Sequence, residues 1–335
     1  MKSGLKIIVQ SSKFFYDYLK ENLNKMHEIK YFKAQNKEFF SHCKNTDVLI
    51  TMSWGRSMFG GKKATSIVPQ KKLKLLHLPG AGYDGIDFSK ISKNTKVCNV
   101  YGHEIPIAEY CIANMLAWEI NLINKANNFK KLNWEDSLIL GAMPHGELYN
   151  KKVGILGYGK IGKEISKKLS CFDCAVIAFT RRKIRKNKYL SAAYLSLDLK
   201  KHIKSLDYLI IACTLNSSTE GLIGVDVLSA MKKTAVLINV ARGEIINEKD
   251  LYNALKLKHI GGAVVDTWYK YPNATSIKFN PSKYDFHKLK NIVMTPHVSA
   301  WSKNMIVRRA KLIKLNIENL YNKKKLINEI KFNNF

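Results

Sequence analysis

The second half of this chain alternates short apolar runs with helical patterns, and that alternation restricts its fold more than any other feature. The runs lie at residues 153–156, 175–179, 208–212, 235–239, 262–265 and 292–294. Continuous apolar strands must be covered on both faces, and strands joined by helical crossovers pair in parallel. Six of them predict an α/β fold built on a doubly wound parallel sheet. The first hundred residues repeat the pattern on a smaller scale. Strands are expected at 5–9, 47–51, 73–78 and 97–100, with helical segments at 14–23 and 39–43. A last helix, at about 304–321, follows the large sheet.

The chain has 335 residues and a formal net charge of +30. Such a balance fits a nucleic-acid or membrane-surface partner. However, 49 lysines and only seven arginines carry it, and the longest lysine run is Lys323-Lys324-Lys325. Nucleic-acid surfaces cluster their cations and interleave aromatics, so scattered lysine reads as solvated background, and nucleic acid is not the expected partner. Arginine is then informative wherever it occurs, because lysine is the default cation here. The most apolar stretch, 105–123, carries Pro106, Glu109, Asn114 and Glu119, which a lipid-facing helix would not hold. Six cysteines and no leader-like pattern in residues 1–15 give the expectation of a reducing, cytoplasmic setting.

Gly157-Tyr158-Gly159-Lys160-Ile161-Gly162 follows the strand at 153–156 and opens a helix. In that context the glycines allow a tight turn and close approach of a pyrophosphate to the helix N-terminus, so a Rossmann-type dinucleotide site is expected. An NAD site places Asp or Glu at the end of the next strand to hold the ribose hydroxyls. Here that strand ends in Thr180-Arg181-Arg182. Guanidinium forks suit a 2′-phosphate, so NADP(H) is favoured and NAD(H) is the alternative.

Two further motifs follow strands: Asn239-Val240-Ala241-Arg242-Gly243 and Thr295-Pro296-His297. With the glycine-rich loop and the segment Gly80-Ala81-Gly82-Tyr83-Asp84-Gly85-Ile86-Asp87, the chain resembles the D-isomer-specific 2-hydroxyacid dehydrogenase family over nearly its whole length. The resemblance implies a dinucleotide-binding domain at 101–297, inserted into a smaller flavodoxin-like substrate domain formed by 1–100 and 298–335. It implies hydride transfer between NAD(P) and a small 2-oxo or 2-hydroxy acid of the glyoxylate, hydroxypyruvate or phosphoglycerate type. Reducing a 2-oxo acid needs a cation to bind the carboxylate and polarise the ketone, and an acid to protonate the developing alkoxide. By resemblance Arg242 is that cation and His297 the acid and base. Backbone N–H groups of Ala81 and Gly82 cradle the carboxylate, Val240 and Ala241 border the cofactor, and Asp266 meets the nicotinamide carboxamide. No metal is expected.

The chain departs from the family at one point. The family's Asp-Val-Phe-Glu-Pro-Glu-Pro segment corresponds to Asp266-Thr267-Trp268-Tyr269-Lys270-Tyr271-Pro272, which puts Tyr271 where a Glu usually pairs with the histidine. A phenol can orient an imidazole but cannot stabilise imidazolium as a carboxylate does. Reduction is therefore expected to fail at lower pH than in relatives carrying Glu. Asp285 is a further candidate partner for the histidine. Arg56, beside Trp54, is a candidate for a distal anionic group of the substrate, and Trp268 and Trp301 adjoin the motifs.

A long helix beginning at Pro106 has apolar residues on both faces, Ile107, Cys111, Met115, Trp118 and Leu122 on one and Ile112, Leu116 and Ile123 on the other. A helix apolar nearly all round is covered on both sides, and together with family habit this gives the expectation of a homodimer. Cys171 and Cys174 form a CxxC that lacks the further ligands zinc would need. The competing reading is a cofactor-sensing, corepressor-like binding protein with weak or no catalysis, favoured by Tyr271 and the net charge and opposed by Arg242 and His297.

Overall fold

The computed structural model describes residues 3–10, 12–55, 72–83, 85–272 and 277–331. The chain divides into two compact units, Met1–Gly102 with Ser302–Phe335, and His103–Trp301.

The first unit holds β1 (Lys6–Val9), α1 (Lys13–Asn22), β2 (Glu28–Tyr31), α2 (Lys37–Cys43), β3 (Val48–Ile50), β4 (Leu75–His77) and β5 (Lys96–Cys98), with α9 (Lys303–Tyr321) returning from the far end of the sequence. Its sheet is parallel, in the order β2-β1-β3-β4-β5. Successive side chains of a strand point to opposite faces. Ile7 and Val9 of β1 accordingly enter one core layer with Phe15, Leu19 and Ile313, whereas Ile8 enters the other with Phe39 and Leu76. The sequence reading did not anticipate β2. It is an edge strand whose Glu28 and Lys30 face solvent, so its pattern is charged alternation rather than an apolar run.

The second unit holds α3 (Glu104–Ile120), α4 (Leu122–Phe129), β6 (Lys152–Leu156), α5 (Lys160–Leu169), β7 (Ala175–Thr180), β8 (Ala192–Leu195), α6 (Leu199–His202), β9 (Tyr208–Ile211), α7 (Val225–Ala230), β10 (Val236–Asn239), α8 (Glu248–Lys256), β11 (Gly262–Val265) and β12 (Ile292–Met294). Its seven strands are all parallel, in the order β12-β11-β10-β9-β6-β7-β8. Chain order reverses between β6 and β9, the switch point at which doubly wound sheets bind ligands beyond their carboxyl ends. Helices cover both faces. Ile107, Cys111 and Met115 of α3 pack with Ile165 and Leu169 of α5 against Val153 and Ile155, and α6, α7 and α8 supply Leu199, Val227 and Leu251 to the opposite layer. The six strands expected here are present, and β8 adds a seventh at the edge.

One helix is shorter than expected. The helix read as continuous from Pro106 to Ile123 ends at Ile120, where Asn121 takes φ 55° and breaks it before α4. Asn is among the few residues that visit the left-handed region readily. Leu122 and Ile123 therefore leave the α3 stripe and are exposed. Among the described residues, no helix is long and apolar enough to cross a membrane.

Candidate active site

The glycine-rich turn lies at the carboxyl end of β6, beside the switch point. Gly157 has φ 99°, and a Cβ there would sit 2.6 Å from the backbone nitrogen of Cys213. Only glycine fits both the dihedral and the approach. A Cβ at Gly162 would collide with the Gly157 carbonyl, so that glycine lets α5 pack close under the turn. Gly159 differs from both, because a Cβ there would meet nothing within 4 Å. Gly159 is the N-cap of α5, no side chain caps the helix, and its first turn carries no acidic residue. Lys160 is exposed and Ile161 half-buried in that turn. An uncapped helix N-terminus with open space before it fits a pyrophosphate. At the end of β7 the Thr180 hydroxyl donates to the Arg182 carbonyl at 2.6 Å, closing a turn that leaves Arg181 and Arg182 exposed. Neither arginine pairs with a carboxylate among the described residues.

Beyond β10, the Asn239 side chain shapes the arginine loop by accepting from Ala241 N–H at 3.0 Å and donating to the Arg242 carbonyl at 2.9 Å. Val240 and Ala241 are buried in this loop. The Arg242 guanidinium donates to the Ala241 carbonyl at 2.7 Å. Gly243 lets this loop press against the next one, since a Cβ there would lie 2.6 Å from the carbonyl carbon of Trp268.

Beyond β12, His297 adopts φ 58° in a turn organised by Asp266. The Asp266 carboxylate accepts from the Thr295 hydroxyl at 2.5 Å and from the backbone N–H groups of Val298 at 2.8 Å and Ser299 at 2.9 Å. Thr295 gives its proton to Asp266, so the Tyr110 hydroxyl of α3, 2.7 Å away, must donate to Thr295. Trp268 Nε1–H closes the turn on the Thr295 carbonyl at 2.8 Å. The Asp266 side chain is fully enclosed, and both of its oxygens accept hydrogen bonds within the turn. The imidazole is held separately. Tyr271 Oη lies 2.8 Å from His297 Nδ1 and accepts from Trp268 N–H at 3.2 Å. Burial lowers the His297 pKa and the Arg242 charge lowers it further, against the opposing pull of Asp266. Burial raises the Tyr271 pKa, opposed by the Trp268 N–H bond and by Arg242.

The model for "D-isomer specific 2-hydroxyacid dehydrogenase, NAD binding domain" matches residues 112–299. The D-3-phosphoglycerate dehydrogenase of Methanocaldococcus jannaschii is 30% identical over 268 residues, 79% of this chain and 48% of that protein. The chain belongs to the D-isomer-specific 2-hydroxyacid dehydrogenase family. It spans about half the length of that relative, but 74% of the glyoxylate reductase of Pyrococcus furiosus, to which it is 29% identical over 272 residues, 77% of this chain. The fold matches that of a solved family protein from Aeromonas salmonicida with a TM-score of 0.81 at 21% identity, covering 99% of this chain and 100% of that one. The family's class is nicotinamide-dependent oxidoreductases acting on 2-hydroxy acids.

The other residues expected at the site of this 2-hydroxyacid dehydrogenase belong to several segments. Ala81 and Gly82 follow β4 in the first unit, half-buried, with the Ala81 carbonyl accepting from Asn99 Nδ2 at 2.8 Å. Arg56 lies outside the described residues. Trp54 does not face a site: it is 2% exposed and packs on Phe39 and Phe40 in the first unit's core. Trp268 is buried and Trp301 exposed. Asp285 pairs with Lys288 at 2.7 Å on the surface. Cys174 donates to the Leu148 carbonyl at 3.2 Å, and among the described residues no His, Cys, Asp or Glu cluster could hold a metal. Sequence reading missed Tyr110, Thr295 and Asn239 as organisers of the site. Asn239 and Thr295 stood inside the motifs, but nothing in the sequence links Tyr110 to a residue 185 positions away.

Proposed function

We propose that this protein transfers hydride between a nicotinamide cofactor and a small 2-oxo or 2-hydroxy acid of the glyoxylate, hydroxypyruvate or phosphoglycerate-like class. One observation carries the reading: the Arg242 and His297 loops emerge at the carboxyl ends of β10 and β12 in the sheet whose β6 leads into an open glycine cradle. Relatives named for glyoxylate and phosphoglycerate support that substrate class. The bound cofactor supplies the hydride. Arg242 holds the substrate carboxylate and polarises the ketone, and His297 exchanges the proton of the oxygen. Gly157, Gly159 and Gly162, with the backbone of Lys160 and Ile161, receive the pyrophosphate.

Arg181 and Arg182, exposed beyond β7 where an NAD site carries an acid, favour NADP(H) over NAD(H). A homodimer is supported by the segment after α4, where Leu138 is 89% exposed, Ile139 83% and Met143 84%, a density of apolar surface that monomers seldom leave open. Six cysteines, all free, suit a reducing compartment such as the cytoplasm.

The test is a panel of glyoxylate, hydroxypyruvate, pyruvate and phosphohydroxypyruvate with NADPH and NADH, following loss of reduced-cofactor absorbance. Turnover is expected with at least one acid and faster with NADPH, and replacing Arg181 and Arg182 by Ser should erase the preference. Tight cofactor binding without turnover of any acid would favour the cofactor-sensing, corepressor-like reading instead.

A further inference from the structure

The partner of His297 determines where the proton for reduction comes from, and here that partner is a phenol. Trp268 N–H donates to Tyr271 Oη at 3.2 Å, and the same oxygen lies 2.8 Å from His297 Nδ1. With the Trp268 N–H on one acceptor position of the oxygen, the 2.8 Å contact lets the phenolic proton point at Nδ1. In that arrangement Nδ1 is an acceptor, and a neutral imidazole carries its proton on Nε2. Burial and Arg242 together hold the ring neutral over a wider pH range than a free imidazole.

We propose that Tyr271 is a positioning residue that locks His297 as its Nε2–H tautomer and serves, through it, as the proton source for ketone reduction. The inference rests on the proposed hydride transfer. As hydride from the reduced nicotinamide reaches the carbonyl carbon, the carbonyl π bond breaks and its electron pair moves to oxygen. The His297 Nε2–H bond breaks and an O–H bond forms on that oxygen. At the same time the Tyr271 O–H bond breaks and an N–H bond forms at Nδ1. His297 is neutral before and after, and the charge rests on a phenolate facing the Trp268 N–H and the Arg242 guanidinium. In the oxidative direction each transfer runs in reverse.

Proton loss from a phenol to an alkoxide is downhill, whereas a neutral imidazole acting alone would have to become imidazolate. The relay therefore replaces the expectation that, as pH rises, reduction is lost at a lower pH than in relatives whose histidine has a carboxylate partner. Among the described residues, the charged groups acting on the pair are Arg242 beyond β10, Glu244 in the turn after it, and Asp266 at the end of β11. Arg242 stabilises the phenolate that the relay creates, while Glu244 and Asp266 disfavour it.

Two measurements test this. The first is long-range 1H–15N NMR of the free wild-type protein at neutral pH, with His297 assigned by comparison with His297→Gln. An Nε2–H tautomer is expected, with loss of that single state in Tyr271→Phe. An Nδ1–H tautomer in the wild type overturns the proposal even if no 2-oxo acid is turned over, so this arm stands apart from the substrate assignment. The second is the pH dependence of kcat for reduction. The wild-type rate should stay level from about pH 6 to about pH 9, while Tyr271→Phe should fall on the order of tenfold per pH unit above the imidazole pKa. Tyr271→Glu should move that fall back to higher pH. Parallel profiles for wild type and Tyr271→Phe would overturn the relay. Should Tyr271→Phe not fold, the wild-type tautomer and a wild-type rate that falls through the imidazole range would decide the matter.

Discussion

Gly157 and Gly159 occupy the same turn, read alike in the sequence, and do different work. At Gly157 the backbone needs glycine, with φ 99° and a Cβ position 2.6 Å from the Cys213 nitrogen. At Gly159 the fold does not need it, since the space is open. Gly157→Ala should cost about 1–3 kcal/mol of stability through backbone strain, with the steric overlap adding to it. Gly159→Ala should cost under about 1 kcal/mol, as an N-cap change. It should nevertheless weaken dinucleotide binding about tenfold, close to 1.4 kcal/mol, because its methyl group occupies the space a pyrophosphate needs. Thermal melts and cofactor titration of both variants separate the two effects, and equal losses of affinity and stability in Gly159→Ala would contradict a ligand-facing role. The sequence pattern identified the three glycines, yet which of them the fold needs depended on Cys213, whose backbone reaches Gly157 from the end of another strand.

At the scale of elements, the first unit ties β4 to α9 through a buried polar contact. His77 Nε2 accepts from Asn316 Nδ2 at 3.0 Å, its Nδ1–H donates to the Leu78 carbonyl at 3.2 Å, and Asn316 also bonds both backbone groups of Ile327. Both ring nitrogens are used by a neutral ring, and burial, partly offset by the bond to Leu78, lowers the His77 pKa to about 4. The folded pKa lies below the unfolded one, so the unfolded state binds more protons between them. The resulting stability is fully present above about pH 6.5 and is lost as pH falls toward about 4, a change of about 3 kcal/mol. His77→Gln, which cannot titrate, should therefore lose less thermal stability than wild type between pH 7 and pH 4.5; equal losses would exclude His77 as the sensitive group. Within the second unit the Asp266 turn follows the same principle, a buried acceptor gathering donors from separate segments. The strands of both sheets were legible because apolar runs record burial, and β2 escaped because Glu28 and Lys30 interrupt any such run.

For the whole molecule, the open question is what covers the apolar segment after α4. Leu138 and Ile139 make no use of their exposed surface within the chain, so Leu138→Asp with Ile139→Asp should leave the monomer fold intact, within about 1 kcal/mol. Light scattering after size exclusion should give a dimer for wild type and a monomer for the double variant, and a monomeric wild type would reject the proposed homodimer. The net charge of +30 first pointed to nucleic acid, but its distribution over 49 lysines made it background and left the arginines as markers. By itself the sequence determined the parallel architecture, the glycine turn and the motif residues Arg242 and His297, because burial periodicity and short-range turn chemistry are written in consecutive residues. Only the tertiary structure decided that Asp266 builds the His297 turn, that Tyr110 supports it from α3, and that Tyr271 Oη meets Nδ1. Those roles depend on donors and acceptors brought within 3 Å from distant segments, and the direction of a hydrogen bond follows from all the partners around it.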